Sequence, residues 1–382
     1  MSTIDPSKKF FCPAPWKNLF QHGNSASPCH SSRNNLGLGP AEYMKSDFLK
    51  SVKEDFLAGR VPVSCLLCKT REDLGIKSTR QSVVFRDGTQ SPIYNRKDFE
   101  ENKDTRITRL ELRTTNLCNY KCRMCDANSS SEIAREQGLE HKIFHASPEV
   151  IEELKSLTLD QVDLLCLTGG EPMLIKEYST FLQHLIDKGY TEKSVELFTN
   201  CSVYNPTFID KLSKFKKVKF VMSIDGVGKV AEYQRKGTVW ETVEKNIYTF
   251  TKMPQPFELY FNTAISSYVL LDVSSLATFL MKLYSINNEI GTRCYSTIKP
   301  DFLHFIHMDS KSRSVAVEQI DKALEILTVD NFYIFKKELS NIKKILIETA
   351  PAQPKLFIEH TLRLDKIRNE KFENVFGYNL PV

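Results

Sequence analysis

The sequence predicts an α/β fold: a partial (β/α)6 barrel of parallel strands, with an N-terminal loop-rich cysteine domain and a C-terminal helical extension. Three observations support this prediction. From Thr105 onward, strand patterns alternate with helix patterns, as in parallel strands joined by crossover helices. Before that point the chain is irregular, and after Asp309 it shows only helical patterns. We therefore divide it into residues 1–100, 101–310 and 311–382.

The N-terminal region carries four cysteines in a context of turns. Residues 12–39 are rich in Ser, Asn, Gly and Pro, which predicts loops. An amphipathic helix is expected over Asp47–Ala58, and a polar link over Asp87–Asp104 is expected to mark the domain boundary. Four thiols from three separated segments could converge on one metal; they belong to Cys12, Cys29, Cys65 and Cys68.

The barrel region contains six strand candidates, each rich in β-branched, aromatic or other apolar residues. A helix is expected to begin at Ser147-Pro148, another to stop at Gly189, and a third to run from Trp240 to Phe250. In parallel barrels, functional residues lie at the C-terminal ends of the strands. The strand candidates are Ile107–Arg113, Val162–Thr168, Val195–Thr199, Val218–Ile224, Glu258–Thr263 and Phe302–His307.

Composition narrows the class of protein. With 382 residues, 41% hydrophobic and 26% charged, the chain is expected to be a soluble globular protein. The net charge of +5 is small and says little about nucleic-acid or membrane partners. We expect no nucleic-acid partner, and no membrane association, since no apolar run approaches the ~20 residues of a membrane span. The N-terminus lacks signal-peptide features, so a cytoplasmic location is expected, where ten cysteines are poorly explained by disulfides.

Three further cysteines, Cys118, Cys122 and Cys125, lie on the loop after the first barrel strand. Thiolates suit iron–sulfur clusters and zinc. Three ligands without a local fourth leave one iron of a cubane cluster open to an outside molecule, whereas zinc usually requires four ligands in paired spacing. Zinc remains the alternative. Lys121 and Arg123 are expected to add positive charge beside the thiolates.

This C-x3-C-x2-C loop resembles the signature of the radical SAM superfamily. At the end of the second strand, Gly169, Gly170, Glu171 and Pro172 are similar to its GGEP motif. Glycines permit a close approach of the backbone to a ligand, and Glu171 offers a carboxylate to an ammonium. The resemblance implies a [4Fe–4S] cluster and S-adenosylmethionine (SAM). It also implies reductive cleavage of SAM to a 5′-deoxyadenosyl radical that abstracts hydrogen, with flavodoxin or ferredoxin as the external electron donor.

The same resemblance implies SAM contacts from polar residues at later strand ends. These are Asn200, Ser223 and Asp225, with Asn262 as a lesser candidate; the alternative for each is a cap or turn residue. Arg235, expected after a helix, is a candidate to pair with the SAM carboxylate, with a solvated arginine as the alternative. Two features depart from the superfamily pattern. Met124 stands where an aromatic residue is common, and no glycine-rich adenine motif is evident near the sixth strand.

The four N-terminal cysteines resemble the auxiliary-cluster region of twitch-domain and SPASM-like radical SAM proteins. That resemblance implies a second [4Fe–4S] cluster, with a structural zinc site as the alternative. It favours an oxidoreductase-type radical enzyme that modifies a peptide or protein, or alternatively one that dehydrogenates a sugar-like molecule. Two hypotheses from other classes remain open: an iron–sulfur electron carrier, and a zinc-stabilised binding module.

Overall fold

The computed structural model describes residues 10–32, 36–73, 78–84, 97–100, 106–157, 159–297 and 299–381. Most of the predicted link over 87–104 lies outside these residues. The strands in the described part are β1 (Asn18–His22), β2 (Ser25–Ser27), β3 (Arg109–Arg113), β4 (Lys121–Cys122), β5 (Leu164–Leu167), β6 (Ser194–Thr199), β7 (Lys217–Ser223), β8 (Arg235–Lys236), β9 (Phe257–Ile265) and β10 (Gly291–Ser296).

Eight of these strands form one sheet in the order β10-β9-β7-β6-β5-β3-β1-β2. Every neighbouring pair is parallel except β1 with β2. The six barrel strands follow one another in chain order, and β10 and β2 form the two edges, so within the described residues the sheet is open. The predicted partial barrel of parallel strands is confirmed.

The position predicted for the sixth strand is wrong. That strand is β10, over Gly291–Ser296, whereas Phe302–His307 forms two short 3₁₀ turns, Asp301–Leu303 and Phe305–His307. Phe302, Leu303 and Phe305 are buried, so the apolar run is a core segment without being a strand. Periodicity alone cannot distinguish these two kinds of short apolar run.

The N-terminal region contributes two strands that the sequence did not indicate. β1 pairs in parallel with β3, setting Phe20 beside Glu111, and β2 then pairs antiparallel with β1. The region predicted as loops therefore extends the barrel sheet. This addition places the segment that carries Cys29 next to the barrel interior.

The two faces of the sheet differ in chemistry because successive side chains of a strand point to opposite sides. On β3, Leu110 and Leu112 are buried in the main core, which includes apolar side chains of the crossover helices. Arg109, Glu111 and Arg113 share the other, inner face, and Glu111 is buried there. The barrel interior is therefore polar and the helix-covered face apolar.

The helices begin and end where local sequence favours it. Ser147 caps one of them by accepting a hydrogen bond from the Val150 amide, and Gly189, with φ of +73°, follows another. The helices before the barrel are Ala14–Lys17, Pro40–Lys45, Asp47–Leu57, Leu66–Asp73, Thr79–Val84 and Lys97–Glu100. Those within it are Ser131–Glu136, Pro148–Ser156, Lys176–Asp187, Pro206–Ser213, Gly228–Gln234, Trp240–Thr251, Ser267–Leu270 and Val273–Tyr284.

The C-terminal part is helical, as predicted. Its helices are Ser310–Ile326, Tyr333–Glu348, Pro354–Arg368 and Glu373–Phe376. Across the part of the chain that the structure describes, no helix combines the length and apolar character needed to cross a bilayer.

Candidate functional site

The three closely spaced cysteines lie on the loop that follows β3 (the cysteine loop, residues 118–125). Cys122 belongs to β4, whose pairing with β8 sets it opposite Arg235. The Cys125 amide donates to the Cys122 carbonyl over 3.1 Å, which fixes a turn between these residues. All three cysteines are half-buried. Burial chiefly raises the pKa of Cys125 to about 12, and the negative neighbours, Cys118 among them, act in the same direction.

The two glycines after β5 pack against the backbone of the segment that leads into this loop. A Cβ atom on Gly170 would lie 1.9 Å from the Leu117 carbonyl oxygen. Gly169 has φ of +136°, and its Cβ would lie 2.8 Å from the Thr115 carbonyl oxygen. The Glu171 amide donates to the Leu117 carbonyl over 2.9 Å. We expected these glycines to let backbone approach a ligand; the contact seen is between two loops.

Glu171 joins the ends of two neighbouring strands. Its side chain is fully buried and accepts hydrogen bonds from the Asn200 amide (2.7 Å), the Thr199 hydroxyl (2.9 Å) and the Met173 amide (3.2 Å). Pro172 begins the short 3₁₀ turn that Glu171 caps. Burial raises the pKa of Glu171 to about 7, although these three donors oppose it.

Asn200 connects the same region to the cysteine loop. Its side-chain amide donates to the Asn119 side-chain oxygen over 3.0 Å, and its own oxygen accepts from the Ser202 amide over 2.9 Å. Asn119 lies directly after Cys118 in the sequence. The end of β6 is therefore held at the cysteine loop, where the sequence predicted a SAM contact.

Asp225 and Arg235 form an ion pair. Asp225 is fully buried, and Arg235 approaches one of its carboxylate oxygens to 2.7 Å through Nε and 2.5 Å through Nη2. The other oxygen accepts from the Ala264 amide over 2.8 Å. The two predicted SAM contacts thus bind each other. Ser223 and Asn262 pair across β7 and β9, where both are half-buried.

Tyr295 is a candidate that the sequence did not indicate. It lies near the end of β10 and is 54% exposed. Burial chiefly raises the pKa of its hydroxyl to about 12, and the nearby Asp225, Cys125 and Cys122 raise it further while Arg235 lowers it. The signal was hidden because the sixth strand was predicted at the wrong position.

Arg123 does not add free positive charge beside the thiolates. Its side chain is fully buried and donates to Asp365 and Glu370, each over 2.6 Å. Its guanidinium lies 3.6 Å from the centre of the Tyr233 ring. Two acids balance its charge, so the expectation for this residue was wrong.

The four N-terminal cysteines surround one cavity. Cys12 and Cys68 are buried, while Cys29 and Cys65 are half-buried. Burial chiefly raises the pKa of Cys29 to about 12 and of Cys65 to about 11, and neighbouring thiols raise both further. Taking all described ranges together, no three His, Cys, Asp or Glu side chains are grouped so that they could hold a single metal ion.

His30 links this cavity to the barrel interior. Its Nδ1 lies 3.3 Å from both carboxylate oxygens of Glu111 on the inner face. Burial alone would raise the pKa of Glu111, but the His30 interaction and the Arg109 charge lower it to about 2. Arg109 also approaches Glu196 to 3.6 Å, and Arg293 binds Glu196 over 2.8 Å. The interior therefore holds a network of alternating charges.

Comparison with known proteins supports the class that the fold and the cysteine loop define. Residues 112–261 match the family model of the radical SAM superfamily, which confirms the resemblance seen in the sequence. This stretch is therefore similar to a radical SAM domain, and that superfamily implies SAM and a [4Fe–4S] cluster as cofactors. No curated protein matches the chain.

Several solved structures are similar at low identity. Hexahistidine-tagged anSMEcpe with bound AdoMet is 18% identical over 62% of this chain and 59% of that one, with a TM-score of 0.42. Streptococcus suis SuiB bound to S-adenosylmethionine is 15% identical over 78% and 60%, with a TM-score of 0.43. SuiB bound to precursor peptide SuiA is 13% identical over 74% and 62%, with a TM-score of 0.42. The chain spans about six tenths of these structures, and similarity of this size assigns no substrate.

Proposed function

We propose that this protein is a radical SAM enzyme whose [4Fe–4S] cluster is held by Cys118, Cys122 and Cys125. The observation that carries the proposal is the position of three thiols on one loop at the carboxyl edge of the barrel, within the matched domain. When bound, the cluster and SAM supply one-electron cleavage of a carbon–sulfur bond and hence hydrogen abstraction from a substrate. An external carrier such as flavodoxin or ferredoxin would deliver the electron.

The residues around the loop would orient SAM rather than react with it. Glu171 can present a carboxylate to the SAM ammonium, since a carboxylate has about four lone-pair sites and three are used here. Asn200, Ser223 and Asp225 lie at neighbouring strand ends and supply further polar groups. Arg235 pairs with Asp225 while its own side chain remains 14% exposed, so its outer edge can meet the SAM carboxylate. Gly169, Gly170 and Pro172 hold these groups at the loop.

For the N-terminal cavity we propose a second [4Fe–4S] cluster, as in twitch-domain proteins. Tetrahedral zinc with Zn–S bonds of ~2.3 Å brings thiolates to within about 4 Å of each other. Cys12, Cys29, Cys65 and Cys68 line a cavity instead, without the grouping of a single-ion site in the described residues. A [4Fe–4S] cluster is likewise held by four cysteine thiolates, so iron and zinc analysis decides between the two.

The proposed substrate is a peptide or protein. The inner face carries acids and guanidinium groups in alternation, and these can bind the carbonyls, amides and charged side chains of a peptide. Dehydrogenation of a sugar-like alcohol is the second candidate, because the same polar interior can bind hydroxyl groups. Substrate and reaction remain proposals that rest on the cluster assignment.

Metal analysis after anaerobic reconstitution tests the assignment. The wild-type chain is expected to bind about eight irons, falling to about four in a Cys118/Cys122/Cys125→Ala variant. The matched control is Cys166→Ala, which removes a buried thiol of β5 and is expected to leave the iron content unchanged. If the wild-type chain binds about four irons, the triple variant binds none and both bind one zinc, the N-terminal site holds structural zinc. Zinc alone in every variant would refute the radical SAM proposal.

A further inference from the structure

The C-terminal extension reaches the cysteine loop through buried charges. Asp365, in the last turn of helix Pro354–Arg368, and Glu370, just beyond it, each accept a hydrogen bond from Arg123 over 2.6 Å. Arg123 lies in the loop between two of the cysteines, and its side chain has no exposed surface. Residues more than two hundred positions apart in the sequence are therefore joined at the centre of this loop.

Asp365 is itself held firmly. Its Oδ1 also accepts from the Tyr233 hydroxyl over 2.8 Å, and its Oδ2 accepts from the Phe372 amide over 2.8 Å. The Tyr233 ring in turn stacks on the Arg123 guanidinium, and the Tyr233 carbonyl accepts from Arg123 Nε over 2.9 Å. Both partners of the ion pair therefore have little freedom to move apart.

Three further ion pairs hold the surroundings of the loop. Arg368 donates to Glu136 over 2.8 Å, and Lys121 of the loop lies 3.7 Å from the same carboxylate. Lys236 on β8, the strand that pairs with β4, lies 3.0 Å from Glu370. We call Asp365, Arg368 and Glu370 the C-terminal clamp.

The energetics of buried charge make this arrangement more than a surface contact. A buried guanidinium without a partner is strongly disfavoured, whereas exposed ion pairs contribute little. If the C-terminal clamp moves away, Arg123 must leave its buried position, and the flanking Cys122 must move with it. The conformation of the loop is thus coupled to the docking of the extension.

We propose that the C-terminal clamp positions the cysteine loop, so that the extension sets the geometry at which the three thiolates hold their cluster. Asp365 and Glu370 act through Arg123 and are positioning residues. The inference rests on the cluster assignment proposed above. It gives the C-terminal helices a role in cofactor binding that neither the family match, which covers residues 112–261, nor the cysteine motif contains.

The test compares Asp365→Asn with Asp321→Asn in the full-length chain. Asp321 pairs with Lys343 between two helices of the same extension, away from the loop, and serves as the matched control. Hydrogen–deuterium exchange of peptides spanning 118–125 is followed in the chain without metal. Iron content, the EPR spectrum of the reduced cluster and SAM cleavage under dithionite are measured after reconstitution.

Asp365→Asn is expected to speed amide exchange in the loop about tenfold, the factor for losing one hydrogen bond to a charged group. It should also shift the EPR spectrum and slow SAM cleavage, while Asp321→Asn changes none of these. Unchanged exchange in the loop would overturn the inference. If Asp365→Asn does not fold, Glu370→Gln, at a less buried carboxylate, replaces it with the same expected direction.

The two proposals fail in different ways. If Asp365→Asn speeds amide exchange in the loop but the cysteine loop of the wild-type chain binds no iron, the clamp proposal stands and the cluster assignment fails. If Asp365→Asn binds iron normally and its loop exchanges at the wild-type rate, the cluster assignment stands and the clamp proposal fails. Asp365→Glu, which retains the charge, is expected to restore part of the loop protection and of the EPR spectrum.

Discussion

Replacing Gly170 with alanine should displace the cysteine loop. Gly170 does not have a positive φ, so the added methyl group causes no backbone strain of its own. Its Cβ would lie 1.9 Å from the Leu117 carbonyl oxygen and 2.8 Å from the Cys118 amide nitrogen. Ordinary van der Waals contact begins near 3.4 Å, so the loop backbone must retreat by about 1.5 Å, a form of overpacking that costs typically 1–3 kcal/mol or more.

The obstacle is backbone, which cannot rotate out of the way as a side chain can, so the strain moves Cys118. We expect Gly170→Ala to lose the iron of this site and the associated formation of 5′-deoxyadenosine, while the N-terminal cavity keeps its metal. Gly189→Ala is the control, because that glycine has φ of +73° and an added Cβ there would have nothing within 4 Å. It should lower the melting temperature without loss of iron. Wild-type iron content and SAM cleavage in Gly170→Ala would refute the reasoning.

Two further predictions concern charge. Arg235→Gln leaves the buried Asp225 without its cation and should lower the free energy of unfolding in urea by about 3–5 kcal/mol. The control, Lys322→Gln, breaks an exposed pair with Glu318 and should lower it by under about 1 kcal/mol. Equal losses in the two variants would show that the buried pair is dispensable. SAM affinity should fall about tenfold per pH unit below about pH 7. Burial raises the pKa of Glu171 to about 7, so at lower pH the carboxyl group is neutral and cannot pair with an ammonium. Calorimetry between pH 5.5 and 7.5 measures this, and a flat profile in the wild type, or the same slope in Glu171→Gln, would contradict it.

The local features of the fold could be predicted from the sequence because they depend on neighbouring residues. The helix that begins after Ser147, the stop at Gly189 and five of the six barrel strands all lie where turn chemistry and apolar periodicity placed them. The cysteine triplet has the same local character. Its position directly after the first strand pattern indicated a loop at the end of that strand, which the structure shows.

The long-range partnerships could not be predicted in this way. β1 is five residues long and lies in a segment full of turn-forming residues, so its pairing with β3 depends on contacts about ninety positions away. Arg123 was expected to face the thiolates. Its partners in the structure, Asp365 and Glu370, lie more than two hundred residues later in the sequence, so no local pattern indicates them. In both cases tertiary contacts override what the local pattern suggests.

One signal in the sequence does indicate the polar interior. Parallel strands buried on both faces are usually continuous apolar runs, yet β3 alternates strictly, with Arg109, Glu111 and Arg113 separated by leucines. A strand at the centre of a parallel sheet keeps such charges only if they are paired or face an open cavity. Glu111 meets both conditions. His30 and Arg109 pair with it, and it lies on the inner face, where the barrel is open. Because His30 directly follows Cys29, the same pairing brings the N-terminal cavity to the edge of the space where a substrate would bind.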